Sequence, residues 1–141
     1  MKVIFVCNAN VGRSQVAEAL FTQLSGELAT SAGTRADEIV ERTNPPSRSL
    51  DDAGSTAIPY MLEQGVDVKN KQRKQLTREM VEAAEKVIVI ADEDTWPDYL
   101  RESEKMIVWN IQDTRGMGPD SARPLYDEIN RRVEELVTEV G

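Results

Sequence analysis

Histidine is missing altogether from this chain of 141 residues, and cysteine occurs once, at position 7. Without histidine there can be no Ser-His-Asp or Cys-His catalysis, and most zinc sites are excluded as well. A single cysteine excludes an internal disulfide and any thiolate cluster around a metal. Long apolar runs are also missing: no stretch approaches the length needed to cross a bilayer. The apolar start, Met1 to Val6, is too short for a secretory h-region and lacks a small-residue cleavage site after it. These absences predict a soluble, cytoplasmic protein with no membrane partner. Positive charge is scarce too, with 17 basic against 25 acidic side chains and a net charge of −8. That balance argues against nonspecific binding of nucleic acid. It also repels anions at long range, so any anion site must be built locally.

The length fits one domain, residues 1–141, with a proper core. Lys2 to Val6 is a short continuous apolar run, as in a strand buried on both faces. A polar turn, Cys7 to Ser14, follows it. Val16, Leu20 and Leu24 then recur at helical spacing, and Gly26 is a plausible stop. Leu28 to Gly33 reads as a second strand. Arg35 to Ser49, polar and carrying Pro45-Pro46, reads as a loop. A helix is expected over about 51–64, with Pro59 a blemish. Val66 to Arg78 reads as a solvated connection bearing Lys69, Lys71, Arg73, Lys74 and Arg78. Thr77 looks like the N-cap of a helix to about Ala84. Lys86 to Ala91 and Lys105 to Trp109 read as further core strands, with a short helix between them ending near Arg101. Leu125, Ile129, Val133, Leu136, Val137 and Val140 mark an amphipathic C-terminal helix. Strands alternating with helices predict an α/β layered domain with a parallel sheet. In such sheets the ligand lies beyond the carboxyl ends of the strands, where Cys7 sits.

A lone cysteine is either a small buried hydrophobe or a reactive thiol. The stretch from Cys7 to Ser14 favours the second reading. It joins a buried strand to a helix N-terminus, where backbone N–H groups and the helix dipole attract an anion. Arg13, six residues after Cys7, can grip two oxygens of a phosphate in a planar fork. Cationic surroundings of this kind favour the nucleophilic thiolate. Ser14 can donate a hydrogen bond to that sulfur, Asn10 can tie the loop together, and Gly12 lets the backbone bend close to a ligand.

The segment Cys7-Asn-Ala-Asn-Val-Gly-Arg-Ser14, followed by Gln15-Val-Ala-Glu-Ala19, resembles the low-molecular-weight protein tyrosine phosphatase family. That family includes the thioredoxin-linked arsenate reductases. The resemblance covers nearly the whole chain. Ser31-Ala-Gly-Thr34 resembles the segment closing the family's second strand. Gly65 to Val68 and Leu76-Thr77 resemble the approach to its third strand. Trp109-Asn-Ile-Gln-Asp113 resembles the loop bearing its catalytic acid. The resemblance implies a single three-layer α/β domain with a four-stranded parallel sheet flanked by helices. It implies Cys7 as nucleophile and Asp113 as general acid and base. It also implies Arg13 as anion binder, with substrate held by Asn8, Ala9, Asn10, Val11, Gly12, Arg13 and Ser14. No cofactor and no metal are implied. The partners implied are a phosphorylated small molecule or phosphoprotein, with inorganic phosphate or other oxyanions in the loop.

The weaker signals have bland readings beside these. Asp113 by position alone is a turn residue. Asp92, Glu93 and Asp94 fit a solvated helix start with Asp94 or Thr95 as cap. Trp96 and Trp109 fit packing. The family's acid is usually followed by proline, whereas Thr114-Arg115-Gly116 follows here, which weakens the case for phosphotyrosine. Gln15, in place of proline, leans toward the reductases. Three functions stay open: a phosphomonoester hydrolase using a phosphocysteine on aryl phosphates or phosphotyrosine, an arsenate reductase using an external thiol, and a silent phosphate-binding module. The reductases relay a disulfide through two further cysteines, and Ala91-Asp92-Glu93 and Trp96-Pro97 occupy the corresponding stretch.

Overall fold

The computed structural model describes residues 2–140, and for Val140 the backbone alone. Met1 of the apolar start and the Val140 side chain of the helical stripe therefore lie outside the described residues. Four parallel strands form one sheet: β1 (Val3–Cys7), β2 (Thr30–Gly33), β3 (Lys86–Val89) and β4 (Met106–Val108), in the order β2-β1-β3-β4. Every residue of β1 is buried, as its unbroken apolar run requires of a strand covered on both faces. The pleat sends Val3, Phe5 and Cys7 into one core and Ile4 and Val6 into the other.

The first core lies under α1 (Arg13–Ser25) and α6 (Pro119–Val140), which pack on each other. Phe5 sits between Phe21 and Trp109, with ring centroids 5.9 and 5.8 Å away. The stripe that α6 buries is Ala122, Tyr126, Ile129, Val133 and Leu136. Leu125, expected in that stripe, is only half-buried at its margin. The second core lies under α4 (Arg78–Ala83) and α5 (Asp98–Arg101), built from Leu76, Val81, Val87, Val89 and Leu100. The sheet is thus the middle of three layers.

Several local expectations hold. Gly26 ends α1 in the left-handed region at φ +74°. Thr77 caps α4, its Oγ1 accepting the Met80 N–H at 3.3 Å. Others need correction. The stretch expected as a loop from Arg35 to Ser49 contains α2 (Ala36–Arg42). Only Ala36 and Val40 of it are buried, too few to reveal a period. Electrostatics supports it instead, with Asp37 and Glu38 in the first turn and Arg42 in the last. The helix expected over 51–64 shrinks to α3 (Ala57–Glu63), because Gly54 turns the chain at φ +64°. Pro59 then falls in the first turn, where its missing N–H costs no helical hydrogen bond. Leu28 is exposed rather than in a strand. The core strand expected over Lys105 to Trp109 is β4, an edge strand paired with β3 alone, with Ile107 and Val108 exposed. Asp94 and Thr95 lie in a short 3-10 turn, and Pro97, without a side-chain bond, caps α5.

Candidate active site

Four chain segments converge beyond the carboxyl ends of the strands: the turn from Cys7 to Gly12, the end of β2, the connection around Arg73, and the loop after β4. Cys7 is the last residue of β1 and Arg13 the first of α1, so the five residues between them, Asn8 to Gly12, carry the change of direction. The turn passes directly over Gly33. A Cβ there would lie 2.6 Å from the Asn8 carbonyl oxygen and 2.9 Å from the Asn10 nitrogen. Thr34 N–H donates to the Cys7 carbonyl and Arg35 N–H to that of Asn8, each at 2.9 Å, stitching the turn to the end of β2.

Asn10 is the hub of this turn. Its backbone is left-handed, φ +54°, a conformation asparagine tolerates better than most residues. Its Oδ1 accepts the backbone N–H of Lys74 at 2.8 Å. That donor is obligate, so it fixes which end of the amide is oxygen. The Nδ2 therefore donates, to Ser14 Oγ at 2.7 Å and to Ser31 Oγ at 3.0 Å. Ser31 passes its own proton to Glu18 Oε1 at 2.8 Å. Ser14 Oγ, already accepting from Asn10, has its proton free for Cys7 Sγ at 2.9 Å. The Asn10 N–H reaches the same sulfur at 3.3 Å. Gln15 is buried behind the turn and donates to Asn10 Oδ1 at 3.1 Å and to the Gln72 carbonyl at the same distance.

Arg13 is buried, and its Nη1 donates to the Ile90 and Ile111 carbonyls at 3.0 and 2.8 Å. Those carbonyls follow β3 and β4, so the guanidinium is aimed by the sheet itself. Its Nη2 lies 3.8 Å from Asp113 Oδ1. Asp113 is partly exposed and accepts the Arg115 N–H at 3.0 Å. Asn8 and Asp92 bond reciprocally, Asn8 Nδ2 to Asp92 Oδ2 at 2.8 Å and Asp92 N–H to Asn8 Oδ1 at 2.9 Å. The acidic run after β3 thus anchors the turn.

A cavity of about 460 Å³ opens over this arrangement. Cys7, Asn8, Ala9, Val11, Gly12 and Arg13 line it, and so does Asp113. Asn10 and Ser14 do not; their side chains lie behind the turn and support it. The sequence reading missed two residues. Arg73, read as part of a solvated connection, is buried against the cavity, its Nε donating to the Ala9 carbonyl at 3.2 Å and its Nη1 to that of Ser47 at 3.0 Å. Burial and the Arg48 charge pull its pKa down, while Cys7 pushes it the other way. Tyr126 closes the floor from α6, its hydroxyl bonded to Thr56 Oγ1 at 2.7 Å and Thr114 Oγ1 at 3.3 Å. Burial raises its pKa. The hydroxyl also explains Gly12, where a Cβ would stand 2.7 Å from it. No local signal marks Arg73, but Tyr126 stands four residues after the buried Ala122, on the helical period. Neither tryptophan lines the cavity. Among the described residues no three Asp, Glu or Cys side chains gather as a metal site would require.

The sequence model of the low molecular weight phosphotyrosine protein phosphatases matches residues 2–141. The chain belongs to that family. Several solved structures share its architecture. The Vibrio vulnificus protein Wzb, solved with benzylphosphonate, superposes with a TM-score of 0.80 at 20% identity, over 98% of this chain and 97% of that one. An arsenate reductase in its phosphate-binding state gives 0.76 at 25% identity, over 99% and 98%. The YwlE arginine phosphatase of Geobacillus stearothermophilus gives 0.74 at 21% identity, over 99% and 92%. The low molecular weight phosphatase family thus supports a phosphatase or related activity for this chain. The family's architecture also matches the expected four-stranded parallel sheet flanked by helices.

Proposed function

We propose that the chain is a phosphomonoester hydrolase acting through a phosphocysteine. One observation carries this reading: Cys7 Sγ, bonded by Ser14, faces the same cavity as Arg13, whose guanidinium stands 3.8 Å from Asp113. A thiolate, an anion-gripping fork and a carboxyl group are the parts such a reaction needs. Cys7 attacks phosphorus in line while the bond to the leaving oxygen breaks. Asp113, protonated, gives that oxygen its proton, so a neutral alcohol departs. The equatorial oxygens are held by Arg13 and by the N–H groups of the turn. Ser14 donates to the sulfur and stabilises it as leaving group in the second step. Asp113, now a carboxylate, takes a proton from water, which attacks phosphorus and releases phosphate and the Cys7 thiolate. The sum is ester plus water to alcohol plus phosphate. Aryl phosphates such as para-nitrophenyl phosphate are suitable probes, and phosphotyrosine is a candidate substrate.

Arsenate reduction with an external thiol is the second reading, motivated by Gln15 standing where the family's phosphatases carry proline after the serine. Cys7 is the single cysteine of the chain, so the electrons would have to come from a small thiol such as glutathione or mycothiol. The deciding experiment compares para-nitrophenyl phosphate hydrolysis, in the presence of EDTA, with thiol-dependent arsenate reduction. Hydrolysis that disappears in Cys7→Ser is the expected result. Hydrolysis that persists in Cys7→Ser rejects the phosphocysteine.

A further inference from the structure

The floor of the cavity can hold a phosphoryl group without help from its rim. Yet the rim carries three more arginines, Arg35, Arg42 and Arg115, and one acid, Glu38. Glu38 pairs with Arg42 at 2.7 Å and with Arg35 at 3.9 Å, so it offsets one of the three charges. Arg115 comes from a different segment, the Asp113 loop, and makes no ion pair among the described residues. The rim therefore holds two uncompensated positive charges on a chain of net charge −8. All of its cations are arginines, whose planar forks match a carboxylate or phosphate.

Aromatic side chains are missing from the rim. Tyr126 is the aromatic residue in the lining, and it is buried at the floor with its hydroxyl engaged by Thr56 and Thr114. The apolar residues lining the cavity beyond the turn are Ile39, Ala53 and Met117, none of them aromatic. An aryl leaving group would meet no ring to stack on. A cationic leaving group, such as the guanidine of a phosphoarginine, would meet like charge.

We propose that the natural leaving group is aliphatic and carries its own oxyanion, a carboxylate or a second phosphate, held by Arg115 and the Arg35–Arg42 side of the rim. This rests on the phosphomonoesterase reading above and replaces phosphotyrosine as its candidate substrate. The long-range field of the chain repels such a molecule, so the rim supplies the local attraction that brings it in.

Phosphonates test this without turnover, because their carbon–phosphorus bond is not hydrolysed. Affinity is measured by calorimetry at low salt for propylphosphonate, two- to four-carbon phosphonocarboxylates, an alkyl bisphosphonate, benzylphosphonate and 3-aminopropylphosphonate. The best phosphonocarboxylate or the bisphosphonate should bind roughly threefold to tenfold tighter than propylphosphonate, as one or two partly screened ion pairs allow. Which of the two gains more tells carboxylate from phosphate. The gain should vanish in Arg115→Gln, shrink in Arg42→Gln and grow in Glu38→Gln. All three residues are exposed at the surface, so unchanged melting temperatures in these variants confirm that folding is intact. Benzylphosphonate should show no advantage, and 3-aminopropylphosphonate should bind worst. Equal affinities across the aliphatic set, an advantage that survives Arg115→Gln, tightest binding of the benzyl or amino compound, or no phosphonate binding at all would each overturn the proposal. Expected phosphonate affinities alongside no hydrolysis of any phosphate ester would instead remove the phosphatase reading and leave the anionic subsite standing.

Discussion

Replacing Gly12 with alanine should damage the protein through a residue 114 positions away. The new Cβ would stand 2.7 Å from the Tyr126 hydroxyl and 3.1 Å from Thr114 Oγ1, where ordinary contact begins at 3.4 Å. The hydroxyl must therefore retreat by about 0.7 Å, the difference of those two distances. The ring resists that movement, since Tyr126 is 1% exposed and packs on Tyr60 at 5.3 Å. Overpacking of this kind costs about 1–3 kcal/mol. The displaced hydroxyl also loses its bond to Thr56, worth about 1 kcal/mol. A total of about 2–4 kcal/mol lowers the melting temperature of a chain this size by roughly 6–15 °C. Tyr126→Phe alone should cost about 1 kcal/mol through the lost hydroxyl bonds. In the double variant the nearest ring atom lies at 3.7 Å, an ordinary contact, so the clash with the ring is gone. Denaturant unfolding of the four proteins completes the cycle. Adding Gly12→Ala to Tyr126→Phe should cost at least 1 kcal/mol less than adding it to the parent, a coupling well above the scatter for independent sites. Strict additivity, or a neutral Gly12→Ala, would show that the turn is not braced by α6.

Asp113→Asn should slow turnover of alkyl phosphates far more than that of para-nitrophenyl phosphate, because a good leaving group needs little protonation; equal losses in kcat would return Asp113 to the role of a turn residue. Arg73→Gln should weaken inorganic phosphate binding by about tenfold or more, the range expected for a lost hydrogen bond from a charged group, and Arg73→Lys should recover less than half of that because lysine lacks the fork; a thermal-shift titration with phosphate reads both, and an unchanged dissociation constant in Arg73→Gln would reduce Arg73 to a packing residue. Peroxide should inactivate the enzyme without internal rescue, since an oxidised Cys7 has no second thiol in the chain; intact mass should show one glutathione adduct, reversed by dithiothreitol, when glutathione is present during exposure, and full activity with unmodified Cys7 would mean that the thiol is not activated.

The parts of the fold that were legible in the sequence share one property: the signal and the structure it reports lie in the same few residues. β1 is a buried strand because five consecutive residues are apolar or small. Gly26 and Thr77 act within one turn of themselves. The turn from Cys7 to Arg13 is likewise local, and it reads as an anion loop by spacing alone. What escaped depends on partners far along the chain. Arg73 resembles its solvated neighbours until Ala9, 64 positions earlier, presents a carbonyl to it. Gly12 reads as room for a ligand, whereas Tyr126 is what leaves no space for a Cβ. α2 was hidden for a different reason: seven residues with two buried positions carry too little periodicity to distinguish a helix from a polar loop.

The carbonyls of Ile90 and Ile111 that hold Arg13 have a consequence for when its disorder is lost. A free arginine side chain carries about 2 kcal/mol of rotamer entropy. In most surface anion sites that freedom disappears as the ligand arrives, and affinity is lower by that amount. Here it disappears as the sheet forms, before any ligand is present. The folded state bears the loss permanently, and an anion bound there, as proposed above, would meet a guanidinium that is already still. The saving is read in affinity rather than in the rate of association, since an exposed side chain changes rotamer within nanoseconds in any case.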